Sequence, residues 1–139
     1  MQSTQKTVLI VDDIPFVRKT LRQILINQGF LVVGEAETGE EAIQQYKDTS
    51  PDLVTMDLIM PVMNGVEATK KILQFNPSAI IVILSGMMQE NLVTEAILAG
   101  AKDYIMKPFQ TDDVVRVLRN VIENSHEFKP NESSAGGAA

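Results

Sequence analysis

Three aspartates, a serine and a lysine are the residues in this chain whose types and placement could carry chemistry. Asp12 and Asp13 stand together after the apolar run Val8-Leu9-Ile10-Val11. Asp57 follows Leu53-Val54-Thr55-Met56, Ser85 follows Ala79 to Leu84, and Lys107 follows Tyr104-Ile105-Met106. Carboxylates brought within ~4 Å of one another repel by on the order of 4 kcal/mol per pair at an effective dielectric of ~20. One lysine offsets only part of that; a divalent cation offsets it better. All-oxygen ligands suit a hard ion, and few protein ligands with retained waters suit Mg²⁺ rather than Ca²⁺. A carboxylate on such an ion is a poised nucleophile for phosphoryl transfer, its product an aspartyl phosphate. The ion and Lys107 would then stabilise charge on the transferring oxygens.

Singly, each residue has a plainer reading. An Asp-Asp pair often starts a helix, where acids are favourable. Asp57 could be a solvated loop acid before Met60-Pro61, Ser85 a turn cap, and Lys107 a surface charge. Their shared place argues otherwise: each lies at the C-terminal end of a short apolar run. The runs, with Leu31-Val32-Val33 as the second of five, are continuously apolar, as strands covered on both faces are. Helical spacing separates them. Ile14, Val17, Leu21, Ile24 and Leu25 make one stripe, and Val114, Val117, Leu118, Val121 and Ile122 another. Gly29 closes the first helix, Pro51 and Pro77 precede the third and fourth strands, and Asn64-Gly65 turns into the third helix. The pattern predicts an α/β domain, a doubly wound five-stranded parallel sheet with helices on both faces. Ligands bind outside the strand C-termini where the strand order reverses. With the flavodoxin-like order 2-1-3-4-5, the first and third strands are neighbours and the three carboxylates converge there.

The chain has 139 residues, enough for one domain with its own core. It has no cysteine, which excludes disulfides, thiolate metal sites and cysteine nucleophiles. The one histidine, His126, is read as solvated. A net charge of −6 argues against nucleic acid as a partner. No apolar run reaches the ~18 residues of a membrane span, and from the polar start no secretory signal is expected. The expected compartment is the cytoplasm. The spacing predicts a domain over residues 1–125. Residues 126–139 carry Pro130, Ser133, Ser134 and a Gly136-Gly137-Ala138-Ala139 ending, and are expected to form a flexible tail. Six of seven methionines, Met56, Met60, Met63, Met87, Met88 and Met106, lie around the strand ends. They read as ordinary packing or as an adaptable contact rim.

At these residues the chain resembles the response-regulator receiver family, from about Thr7 to Ser125. The segments are Val8 to Asp13, Met56-Asp57-Leu58-Ile59-Met60-Pro61-Val62-Met63-Asn64-Gly65, Leu84-Ser85-Gly86, and Ala99 through Lys107-Pro108-Phe109. The resemblance implies that Asp57 accepts the phosphoryl group from a histidine kinase. It implies Mg²⁺ held by Asp13 directly, Asp12 through water, Asp57, and the carbonyl of Ile59. Ser85 and Lys107 would contact the phosphoryl oxygens. Tyr104 would be an aromatic switch turning inward as Ser85 is drawn to the phosphate. The Lys107-Pro108 bond is expected to be cis. Asp13-Ile14-Pro15-Phe16-Val17-Arg18-Lys19 is similar to the stand-alone chemotaxis members of the family. They imply a monomeric signal carrier, not an enzyme, with a flagellar motor switch protein downstream; the apolar Ile59 and Met87, two past Asp57 and two past Ser85, predict slow self-dephosphorylation and with it a separate phosphatase. A phosphorelay intermediate and a receiver cut from a larger regulator are alternatives. A haloacid-dehalogenase-like phosphatase needs Asp-x-Asp spacing, which Asp12-Asp13 lacks.

Overall fold

The computed structural model describes residues 5–127. Strands and helices alternate: β1 (Thr7–Val11), α1 (Pro15–Asn27), β2 (Leu31–Ala36), α2 (Gly39–Thr49), β3 (Leu53–Asp57), α3 (Gly65–Phe75), β4 (Ile81–Ser85), α4 (Glu90–Ala99), β5 (Asp103–Met106) and α5 (Thr111–Glu127). All pairings are parallel, in the order β2-β1-β3-β4-β5. This is the expected doubly wound sheet. The chain winds outward from β1 to β2, then returns across β1 to β3 and continues the other way. The reversal opens a crevice at the C-terminal ends of β1 and β3.

Strand alternation sorts the core into two layers. Leu9, Val11, Val54, Met56, Ile81 and Ile83 pack with Ala42 and Tyr46 of α2, Val66 and Ile72 of α3, and Ala96 of α4. Val8, Ile10, Leu53, Val82 and Leu84 face the other way, onto Leu21 and Leu25 of α1 and Val114, Leu118 and Val121 of α5. Every residue of β3 and β4 is buried, so these strands read as unbroken apolar runs. Asp57 and Ser85 end the two runs, and Thr55 is the one polar residue inside them. Its hydroxyl is buried without a hydrogen-bond partner. At about 1.5–3 kcal/mol per fully buried large aliphatic side chain, the central strands form a stiff floor under the crevice.

The helix ends follow local rules. Pro15 occupies the first turn of α1, where its missing N–H costs nothing. Gly29, with φ +90°, turns the chain out of that helix. Asn64 caps α3 in a reciprocal box with Glu67. Helix α5 continues through Glu127, two residues beyond the expected domain end. The rest of the expected tail, from residue 128, lies outside the described residues. Asp57 and Ser85 are the last residues of β3 and β4 themselves, not of the loops after them.

Candidate functional site

The ends of β1, β3 and β5 bring the expected charges together. Asp12 and Asp57 are buried, and Asp13 is half-buried beside them. Each of the three offers a carboxylate oxygen, and these oxygens lie within 4.8 Å of one another. Lys107 enters from the end of β5 and bridges two of them. Its Nζ donates to Asp12 Oδ2 at 2.9 Å and to Asp57 Oδ1 at 3.1 Å. Asp12 Oδ1 accepts from the Ile14 backbone N–H at 2.9 Å, tying the loop into α1. The Lys107-Pro108 bond is cis, as the resemblance implied.

One ammonium faces three carboxylates, and the protonation of Asp57 registers the mismatch. Burial first, then the charge of Asp12, raise its pKa from 3.8 to about 6, against the pull of Lys107. Lys107 itself is held above its usual range; its carboxylate partners outweigh its desolvation. The donor set is all oxygen, compact and over-negative, so the cluster can coordinate a divalent cation.

The raised pKa has a consequence for the metal-free protein. The folded state keeps the Asp57 proton longer than the unfolded state does. Between about pH 4 and pH 6 the native state therefore binds more protons, and this contribution to stability falls as pH rises, then levels off. Asp57→Asn removes the fall. In chelator at about pH 7.5, after discounting for solvent screening, the variant should be more stable than wild type by about 1–2 kcal/mol. The two proteins should converge near pH 4. Urea unfolding across this range checks it; a constant gap between the two curves would contradict it.

Two positioning features carried no clear signal in the sequence. Arg18, about one turn into α1, donates to the Asp12 carbonyl at 2.7 Å and pairs with Glu35 at 3.1 Å. It thereby ties the acidic loop to β2. Gly65 packs directly on the end of β3: a Cβ there would collide with the Asp57 backbone carbonyl. The sequence marked Asn64-Gly65 only as a turn; the close approach of the two backbones explains why the turn needs glycine.

The remaining expected residues are more dispersed. Ser85 is buried, but its hydroxyl has only a long, weak contact, 4.0 Å to Met106 Sδ. Tyr104 lies half-exposed against a pocket of about 360 Å³ that Ser85, Val93, Ile97 and Met106 also line. Ile59 sits two residues past Asp57 with its side chain half-exposed. The methionines divide. Met56 and Met60 are core and Met63 packs against it, whereas Met87, Met88 and Met106 stand at the surface. The packing reading holds for the first three only.

Residues 8–119 match the family model described as the response regulator receiver domain. The chain belongs to the response regulator receiver family. Its relatives include the chemotaxis protein CheY of Thermotoga maritima, 51% identical over 116 residues, spanning 84% of this chain and 97% of that protein. CheY of Bacillus subtilis is 49% identical over 115 residues, 83% of this chain and 96% of that protein. Among solved structures, the CheX–CheY–BeF3–Mg²⁺ complex of Borrelia burgdorferi aligns with a TM-score of 0.81 and 36% identity, covering 84% of this chain and 89% of that one. This receiver is CheY-like. It is a receiver signalling module with an aspartate-cluster phosphorylation site rather than a conventional enzyme. No helix among the described residues is long and apolar enough to cross a membrane.

Proposed function

We propose that this receiver takes a phosphoryl group on Asp57 from the phosphohistidine of a chemotaxis kinase. The observation that carries the reading is the bridge from Lys107 to both Asp57 and Asp12 inside the crevice. An Asp57 oxygen forms the new P–O bond as the P–N bond of the donor breaks. The imidazole leaves with the bonding pair and takes up a proton. Asp12, Asp13, Asp57 and the Ile59 carbonyl would hold Mg²⁺, which when bound neutralises charge on the phosphoryl oxygens. Lys107 supplies a second cation to the same oxygens, and Ser85 a hydroxyl. BeF3⁻ has the charge and tetrahedral shape of a phosphoryl group, so the CheY complex that contains it with Mg²⁺ supports this reading.

The output then depends on a bistable element that the phosphate biases. Ser85 and Tyr104 line one apolar pocket beside α4. Drawing the Ser85 hydroxyl toward the phosphate would clear that pocket for the Tyr104 ring and reshape the face of α4, β5 and α5. The kinship to CheY proteins supports a flagellar motor switch protein as downstream partner, the cytoplasm as compartment, and a monomer as the working form. The complex with CheX supports a separate auxiliary protein that binds the phosphorylated form.

The test is transfer from a chemotaxis-type histidine kinase carrying labelled phosphate on its histidine. Label should move to this chain when Mg²⁺ is present and remain on the kinase in chelator. Transfer at an equal rate in chelator would overturn the metal assignment, and absence of transfer with Mg²⁺ the donor assignment.

A further inference from the structure

The loop between β4 and α4 is pinned by one side chain. Gln89 is the N-cap residue of α4, yet its carboxamide makes no capping bond. It turns back instead, and its Oε1 accepts the backbone N–H of Gly86 at 2.8 Å. The carboxamide lies beside Gly86, where a Cβ would be in ordinary contact with its nitrogen at 3.5 Å. Within the span of this bond, Met88 sits at φ +70°, a conformation that a side chain with a Cβ adopts only at a cost.

The direction of that N–H follows from the peptide plane. The Ser85 carbonyl accepts from Lys107 N at 2.6 Å, so it points toward β5. Across a trans peptide the next N–H points the opposite way. The Gly86 N–H therefore faces β3, on whose edge Asp57 lies paired in register with Leu84. A phosphoryl group on Asp57 extends from the end of β3 into this space. The N–H directed at it is already taken by a neutral amide oxygen.

We infer that Gln89 is a latch: its Oε1 occupies the Gly86 N–H that a phosphoryl oxygen on Asp57 needs, and holds the β4–α4 loop in the unphosphorylated arrangement. The inference rests on Asp57 as the phosphoryl acceptor and adds a competition at that site. Phosphorylation replaces the amide oxygen with a charged one, a stronger acceptor for the same donor. The released carboxamide frees the first turn of α4, and the strain at Met88 favours its release. Gln89 is a positioning residue here; it acts through Gly86 and touches no reacting atom.

The probe is beryllofluoride with Mg²⁺, titrated against the full chain. Gln89→Met keeps the length and flexibility of the side chain and removes the acceptor. An amide hydrogen bond is worth about 0.5–1.5 kcal/mol net of water, so this variant should bind beryllofluoride about 3–10-fold more tightly. Its phosphorylation by acetyl phosphate should speed up in proportion. In ¹⁵N spectra of the free proteins, the Gly86 amide should shift between wild type and variant. With beryllofluoride bound the two should coincide, since the same ligand oxygen then accepts in both. A merely structural role for Gln89 predicts lower thermal stability and equal or weaker beryllofluoride binding in the variant, and that result overturns the latch. Asp57→Asn separates the two levels. If it binds beryllofluoride as wild type does, the acceptor assignment fails and the latch with it. If it alone loses binding while Gln89→Met equals wild type, only the latch fails.

Discussion

Lys107→Met should slow phosphorylation of this chain by small phosphodonors about 10²-fold at saturating Mg²⁺, in the range seen when one preorganised donor to a developing oxyanion is lost. The same substitution has a ground-state cost. Lys107 is the ion-pair partner of Asp12, which is fully buried, and of Asp57, which is nearly so. Removing it leaves two buried carboxylates facing each other beside a third. Breaking a buried pair costs about 3–5 kcal/mol; the partial exposure of Lys107 puts the loss at the lower end or below. In chelator the variant should therefore melt well below wild type. Added Mg²⁺ should recover more stability in the variant than in wild type, because no ammonium competes with the ion for the carboxylates. Lys107→Arg keeps the charge and should recover most of the stability. Equal phosphorylation rates in wild type and Lys107→Met would remove the lysine from the transfer step.

The sequence revealed this constellation because each residue breaks an apolar run at its C-terminal end, and a parallel sheet collects such ends on one edge. The order of the strands was not contained in the periodicity; it came from the switch-point rule and from resemblance. The α1 stripe was legible in part. Leu21 and Leu25 are buried, whereas Ile14 precedes the helix and stands exposed. Side-chain orientation was the least legible level. Nothing in the spacing tells that Arg18 reaches back to the Asp12 carbonyl, or that Gln89 forgoes its helix cap for Gly86. Both depend on loop geometry, which polar residues at irregular spacing leave undetermined. The methionines show the same limit. Composition placed them near the strand ends but could not say which turn inward.

The lifetime of the phosphoryl group should depend on two exposed apolar side chains. Hydrolysis needs a water in line behind the phosphorus. The resemblance to receivers implies that the residues two past the acceptor and two past the hydroxyl flank that approach. Here they are Ile59 and Met87, half-exposed and largely exposed respectively, so both side chains stand at the surface rather than in the core. Neither can hydrogen-bond an attacking water. The phosphorylated form should decay slowly for a chemotaxis-type receiver, in keeping with a role for an auxiliary phosphatase. Orienting or acid–base help to a water is worth about 10²–10⁴-fold. The double variant Ile59→Asn, Met87→Glu should gain up to about 10²-fold in self-dephosphorylation, since an asparagine and a glutamate at the rim can orient water without further preorganisation. Decay is followed after removal of donor, at fixed Mg²⁺. An equal or slower rate in the double variant would show that the two side chains lie outside the water path.

The most direct test of the central assignment is to trap the phosphoryl group where it forms. The chain is incubated with acetyl phosphate and Mg²⁺, then reduced with borohydride, which converts an aspartyl phosphate to homoserine. Peptide sequencing by mass spectrometry should place homoserine at position 57 and leave Asp12 and Asp13 intact, with none formed in chelator or in Asp57→Asn. Homoserine at position 12 or 13, or undiminished phosphorylation of Asp57→Asn, would contradict the assignment of Asp57 as the acceptor.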